Sequence, residues 1–178
     1  MRKIIIIISF LFSLIYSDIA GDIRVCAIRI EFNTDTLEST TGDGKFLVNN
    51  EGIDCGEYII DSAPHNRSYF ESQLKAVNNY YRNISNEKFG FDLDNSNVFP
   101  VNEEGAYQLE YTMDYYNPYG SNIEKEQSLT MLFKDALVNA YIIDSINFDQ
   151  YDMIVVFHAG IGQDFSLPFL DPTPEDIP

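Results

Sequence analysis

The sequence predicts an α+β or α/β domain with a mixed, twisted sheet and two main helices. Two stretches place apolar residues three and four positions apart, as amphipathic helices do, and short β-branched runs lie before, between and after them. Because helices alternate with strands along the chain, we expect them to pack on one sheet. The 178 residues suffice for one domain with a sizeable core, and no repeat or internal linker divides them.

The first residues have the pattern of a secretory signal peptide. Arg2 and Lys3 precede a nearly uninterrupted apolar run over residues 4–15, and Ser17 or Ala20 offers a small residue for cleavage. A membrane anchor is the alternative, but about a dozen apolar residues fall short of the roughly 20 that span a bilayer. We therefore predict a signal peptide over residues 1–20, a secreted, periplasmic or extracellular location, and no membrane association after cleavage.

The charge of the chain narrows the range of partners. There are 28 Asp and Glu residues against 11 Lys and Arg, which gives a formal net charge of −17. Such a surface repels phosphates, so nucleic acid is excluded as a partner. Many carboxylates in an exported protein are consistent with calcium binding, or simply with an acidic, solvated surface.

Two cysteines, Cys26 and Cys55, occur in a chain predicted to enter an oxidising compartment, so a disulfide between them is a candidate. Cys26 shares the apolar face of its strand with Ile28 and Ile30. The alternative is therefore one buried thiol and one loop thiol.

The first half of the predicted domain contains one strand and one helix. Residues 23–32 alternate apolar and polar side chains and predict a half-buried strand. Ser68 and Glu71 have the spacing of a capping box at the start of a helix that ends near Asn86. The inner stripe of this helix is predicted to contain Phe70, Leu74, Val77, Tyr81 and Ile84.

The middle of the chain predicts a strand or hairpin over residues 89–93 and 97–100, then an aromatic, turn-rich stretch over 107–119. A second helix is predicted over residues 123–141. Its inner face is predicted to comprise Leu129, Leu132, Phe133, Ala136, Leu137 and Ala140.

The last predicted strand ends in a polar loop that we regard as the candidate site. Residues 154–156 are a short β-branched run that suits a strand covered on both faces. His158 and Asp164 flank a turn that contains Gly160 and Gly162, and we expect at least one glycine at positive φ. His158 has three candidate roles: metal ligand, substrate contact, or structural donor to a nearby carbonyl.

No self-contained catalytic motif is present. With two histidines, His65 and His158, the chain has no H-E-x-x-H, and it also lacks G-x-S-x-G, a P-loop and G-x-G-x-x-G. Asp92, Asp94 and Ser96 have the alternating spacing of a calcium loop, but no glycine or glutamate completes it. Exposed carboxylates at a strand end are the alternative for this segment.

Several short stretches resemble the start of the peptidase domain in secreted bacterial zinc metallopeptidases of the immune inhibitor A type, a metzincin-like family. They are residues 28–32, Ser68-Tyr69-Phe70, Asn79-Tyr80-Tyr81, Ser85-Asn86 with Phe89, and residues 151–160, which end in His158-Ala159-Gly160. The resemblance extends over most of residues 24–164.

This resemblance implies that residues 21–178 are the N-terminal portion of a truncated, zincin-like metallopeptidase domain that acts on protein or peptide substrates. Zinc would be bound in the complete protein by an H-E-x-x-H downstream, so this chain contains no zinc ligand and no catalytic residue, and we expect it to be inactive alone. His158, Gly160, Gly162 and Asp164 would line the cleft rim.

Two alternatives remain open. The first is a peptidase-like domain that has lost its zinc site. The second is a non-catalytic secreted binding module that stacks ligands on its tyrosines, which are Tyr107, Tyr111, Tyr115, Tyr116 and Tyr119. The commoner role of such tyrosines is to cover the edge of a core.

Overall fold

The computed structural model describes residues 20–49, 62–118, 120–163 and 173–178. The strands are β1 Gly21–Ile23, β2 Val25–Glu31, β3 Phe89–Phe91, β4 Asn97–Phe99, β5 Tyr107–Gln108 and β6 Met153–His158. The helices are α1 Arg67–Ser85, α2 Met113–Tyr116 and α3 Asn122–Asp144, and a 3-10 turn, Phe148–Gln150, precedes β6.

Strand β2 is the centre of the main sheet. It pairs with β6 along Val25–Ile30. On its other edge it pairs with β4 at Cys26–Ile28 and with β5 at Ile30–Glu31. A second, two-stranded sheet pairs β1 with β3. Every pairing among the described residues is parallel, and β3 and β4 lie in different sheets, so they do not form a hairpin.

Helices cover both faces of the main sheet. On one face Cys26, Ile28 and Ile30 pack in a cluster with α2 and with Leu132 and Ala136 of α3. On the other face Val25 and Ala27 pack with Phe70 and Leu74 of α1. The α-helical and β-strand content with two main helices confirms the predicted fold class.

The prediction that the first strand is half-buried is wrong. The strand residues from Val25 to Ile30 are all fully buried, because α1 lies over one face, α3 lies over the other, and both edges are paired. Arg29, which the alternation places on a solvent face, is 0% exposed. Its guanidinium donates to the carbonyls of Pro100, Asn102 and Glu103 at 2.7, 2.6 and 3.0 Å. Desolvation lowers the pKa of Arg29, and the three carbonyls take the place of water.

Helix α1 begins one residue before the predicted cap. The N-cap is Asn66, whose side chain accepts from Tyr69 N at 3.0 Å, whereas Glu71 forms an ion pair with Arg67. The Ser68–Glu71 capping box is therefore wrong. The predicted end is confirmed: Asn86 is the C-cap, at φ 52°.

Only the first half of the predicted α1 stripe is buried. Phe70 and Leu74 are in the core, whereas Val77, Tyr81 and Ile84 are exposed. The sheet that α1 covers is three strands wide, and the end of the helix extends past it to contact the short β3, where Tyr81 meets Phe89.

Helix α3 has a complete capping box, in which Ser121 and Glu124 bond each other's backbone N–H. Leu132, Ala136 and Ala140 are buried as predicted, and Leu129 and Leu137 pack beside them. Phe133, by contrast, is 50% exposed. No helix among the described residues is long and apolar enough to cross a membrane.

Strand β6 contacts both apolar clusters, through Ile154 and Val156 on one side and Val155 on the other. All three nonetheless remain partly exposed. Among the described strands β6 pairs with β2 alone, so it lies at the edge of the sheet and is less covered than the sequence predicts.

Candidate functional site

The candidate site lies at the carboxyl ends of β2, β5 and β6. Because these strands are parallel, their last residues lie together at one end of the sheet, here called the carboxyl edge. These residues are Glu31, Gln108 and His158. Open sheets with parallel strands bind ligands at this edge. Lys45 joins the first two residues, with its Nζ 3.3 Å from Glu31 Oε2 and also hydrogen-bonded to Gln108 Oε1.

His158 has a structural contact with the backbone. Its Nδ1 lies 3.0 Å from Ala159 O. Since a carbonyl oxygen only accepts, this bond places the proton on Nδ1. The ring also packs near Phe32, with 6.2 Å between centroids. This contact is the one expected of a structural donor, but histidines that bind a metal through Nε2 make the same Nδ1 contact with a carbonyl, so all three candidate roles stay predictions.

One of the two glycines in the turn after β6 has the predicted positive φ. Gly160 has φ +95°, which confirms positive φ in this pair of glycines. A Cβ at this position would lie 2.4 Å from Met113 Cε and 3.4 Å from Thr41 O. The turn therefore packs directly on α2 and on the loop before residue 45.

The loop after β6 is bound to the last residues of the chain. Gln163 donates from its backbone N to Ile177 O at 2.7 Å, and from Nε2 to Pro174 O at 3.0 Å. Gly162 belongs to this loop, whereas Asp164 lies outside the described residues. Whether these residues line a cleft stays a prediction.

Asp176 is the main feature of this edge that the sequence analysis missed. It is 0% exposed and accepts from Thr41 N at 2.6 Å, Thr41 Oγ1 at 2.7 Å and Thr173 N at 2.9 Å. Asn117, also fully buried, donates from Nδ2 to Asp176 O. The proline- and acid-rich composition of residues 171–178 indicates a solvated tail, so no sequence signal pointed to this burial.

Two tyrosines of the aromatic stretch belong to the core. Tyr107 donates to Asp144, and Tyr116 donates to Asp135 Oδ2 at 3.0 Å. Burial, followed by these bonds to carboxylates, raises the pKa of both hydroxyls. This is the core-edge alternative stated for these residues.

Two other tyrosines form an exposed pair. Tyr111 and Tyr115 stack with their ring centroids 4.0 Å apart and their planes 23° apart. They are 37% and 39% exposed, and both rings also contact Tyr116. Tyr119 lies outside the described residues.

An open polar cleft of about 500 Å³ lies at the opposite end of the sheet, where β2, β4 and β6 begin. It is lined by Arg24, Asp94, Asn95, Asn97, Gln150 and Tyr151. Of the residues predicted for a site, only Asp94, from the calcium-loop spacing, lines it. In that segment the Asp92 carboxylate accepts from Asn95 N and Nδ2, while Ser96 Oγ donates to Asp92 O, so both residues bond within the turn.

The described residues contain no group of three or more His, Cys, Asp or Glu side chains arranged to hold a metal. Cys26 is fully buried, and burial raises the pKa of its thiol to about 11. Cys55 lies outside the described residues, so the disulfide stays a prediction.

Comparisons with protein-family models, with curated proteins and with solved structures find no match to this chain. Its function is therefore inferred from the fold and the residues themselves.

Proposed function

We propose that this chain is the N-terminal portion of an exported zinc-dependent metallopeptidase. The observation that carries the proposal is the His158-Ala159-Gly160 turn at the carboxyl edge of a parallel sheet backed by helices. The same residues carry the resemblance to immune inhibitor A type peptidases, and the edge is one at which parallel sheets bind ligands.

The part of the chain that the structure describes does not form a zinc centre by itself. Structural and catalytic zinc sites take three or four closely placed protein ligands. The described residues contain no group of three or more His, Cys, Asp or Glu side chains arranged to hold a metal. On this proposal the zinc ligands and the catalytic glutamate come from sequence outside this chain, whose part is to form one wall of the cleft.

The test is to read the coding sequence beyond codon 178 and express the longer product. We expect an in-frame H-E-x-x-H within roughly the next hundred codons. The longer product should hydrolyse a fluorescein-labelled protein, and a Glu→Gln change in that motif should abolish hydrolysis. The 178-residue chain serves as the matched control and should be inactive. A stop codon after Pro178, or hydrolysis unaffected by the Glu→Gln change, would contradict the proposal.

The second candidate function is a secreted binding module without catalysis. The observation that favours it is the exposed, stacked pair of Tyr111 and Tyr115, because aromatic rings on a surface are common ligand contacts. A longer product that has no zinc motif but retains ligand binding would favour this candidate over the peptidase.

A further inference from the structure

The exposed pair Tyr111 and Tyr115, here called the tyrosine platform, is held in place by buried neighbours. Both rings make T-shaped contacts with Tyr116, which is fully buried and hydrogen-bonded to Asp135 of α3. The backbone at Tyr111 is held by a bond from Asn33 N to Tyr111 O at 2.9 Å. Because the two rings stack on each other, each offers a ligand its outer face, and that face is already ordered, which lowers the entropic cost of binding.

Carboxylates adjoin this platform. Glu110 and Asp114 flank it in the sequence, and Asp135 accepts from the hydroxyl of Tyr116, the ring that both platform tyrosines contact. The pKa of Tyr111 is raised, first by the charge of Glu110, then by Tyr115, and also by Asp135. The negative faces of the rings and these charges favour the same kind of ligand, a cation.

Five of the basic residues that the structure describes are paired or buried. Arg24, Lys45, Arg67 and Arg82 each pair with a carboxylate, and Arg29 is buried. With a net charge of −17, the surface as a whole attracts basic partners.

We propose that the tyrosine platform binds an arginine or lysine side chain of a basic peptide segment, with the cation over the outer face of one ring of the stacked pair and near the Glu110 carboxylate. The platform connects to the candidate site through Tyr116, Phe32 and His158, whose neighbouring ring centroids are 5.9 and 6.2 Å apart. The inference concerns binding alone and holds under either candidate function.

The test measures the anisotropy of dye-labelled peptides added to the purified chain. One peptide has a single central arginine between glycines and serines, and its partner has citrulline, which has the same shape without the charge. We expect the arginine peptide to bind about tenfold more tightly, and rising salt to weaken it.

Variants locate the binding to the platform. Tyr111→Ala and Tyr115→Ala should each weaken the arginine peptide about fivefold, Glu110→Gln should weaken it less, and Tyr115→Phe should retain binding because the ring remains. Tyr80→Ala, which removes an exposed ring from the T-shaped pair with Tyr81, is the matched control and should have no effect. Thermal unfolding by circular dichroism checks that each variant is folded.

Three results would overturn the inference. They are equal affinity for the arginine and citrulline peptides, an equal loss in Tyr80→Ala, and displacement of the peptide by a neutral oligosaccharide. None of them bears on peptide hydrolysis by a longer product, so the metallopeptidase proposal is tested separately.

Discussion

Asp176 accepts hydrogen bonds from both the backbone N–H and the hydroxyl of Thr41, at 2.6 and 2.7 Å. This contact joins the last residues of the chain to the loop that also touches the turn at Gly160. The carboxyl edge of the sheet is therefore held by a buried carboxylate as well as by strand pairing.

Removing this carboxylate should destabilise the fold. We expect Asp176→Ala to lower the free energy of unfolding by roughly 2–4 kcal/mol, because the partly buried donors on Thr41 and Thr173 lose their acceptor. Asp176→Asn keeps one acceptor oxygen and should cost less. Urea unfolding measures both, and the exposed Glu38→Ala is the control, expected within about 0.5 kcal/mol of wild type. Equal stabilities for Asp176→Ala and Glu38→Ala would show that the bond contributes nothing.

Arg29 should be required for the start of α1. Its Nη1 donates to Glu103 O, which also accepts from Arg67 N at 2.8 Å. Arg29→Met removes the guanidinium donor from three carbonyls, of which Glu103 O keeps its bond from Arg67 N, so we expect a loss of about 3 kcal/mol or more. Hydrogen exchange at the amides of Arg67 and Ser68 should accelerate by more than the decrease in the global free energy of unfolding explains.

The matched control for Arg29→Met is Lys75→Met, which removes an exposed cation from α1, the helix whose start Arg29 supports. It should leave both stability and exchange near wild type. If Arg29→Met unfolds at the same urea concentration as Lys75→Met, the bonds from the Arg29 guanidinium do not stabilise the fold and the prediction is wrong.

Gly160→Ala should be destabilising for two separable reasons. The backbone is at φ +95°, which costs an L-residue about 1–2 kcal/mol. The new methyl would also meet Met113 Cε. In a double-mutant cycle with Met113→Ala, the cost of Gly160→Ala should fall by about 1 kcal/mol but not vanish, because the backbone cost remains. If the two changes in the free energy of unfolding are strictly additive, the new methyl at residue 160 does not clash with Met113.

The ion pair between Arg24 and Asp152 predicts a pH dependence of stability. Hydrogen bonds from the Arg24 side chain and backbone lower the pKa of Asp152 to about 2 from its ordinary 3.8. Because the folded pKa is the lower one, the contribution is complete above about pH 4 and is lost as pH falls through about 2. Asp152→Asn should therefore lower the melting temperature at pH 6 but not at pH 2, as measured by circular dichroism. A difference that stays constant across that range would contradict this assignment.

The two long helices and the main strands could be predicted because their signals are local. The spacing of Leu132, Ala136 and Ala140 defines a helix face wherever the helix packs, and the αL cap at Asn86 needs only the residue itself. The positive φ in the glycine turn was likewise predictable, because a sharp reversal after a strand requires it of some residue.

Which residues are buried was decided by the helices and loops that pack on the two faces of the sheet. Alternation places Arg29 in water, and it is buried because α1 and the carbonyls of residues 100–103 close over it. Val77 and Ile84 fit a core stripe, yet they are exposed because the sheet is narrower than the helix is long. Sequence periodicity fixes which residues share a face, but burial depends on what packs against that face. The partner of Asp176 lies 135 residues away at Thr41, so only the tertiary structure could bring that carboxylate to the candidate site.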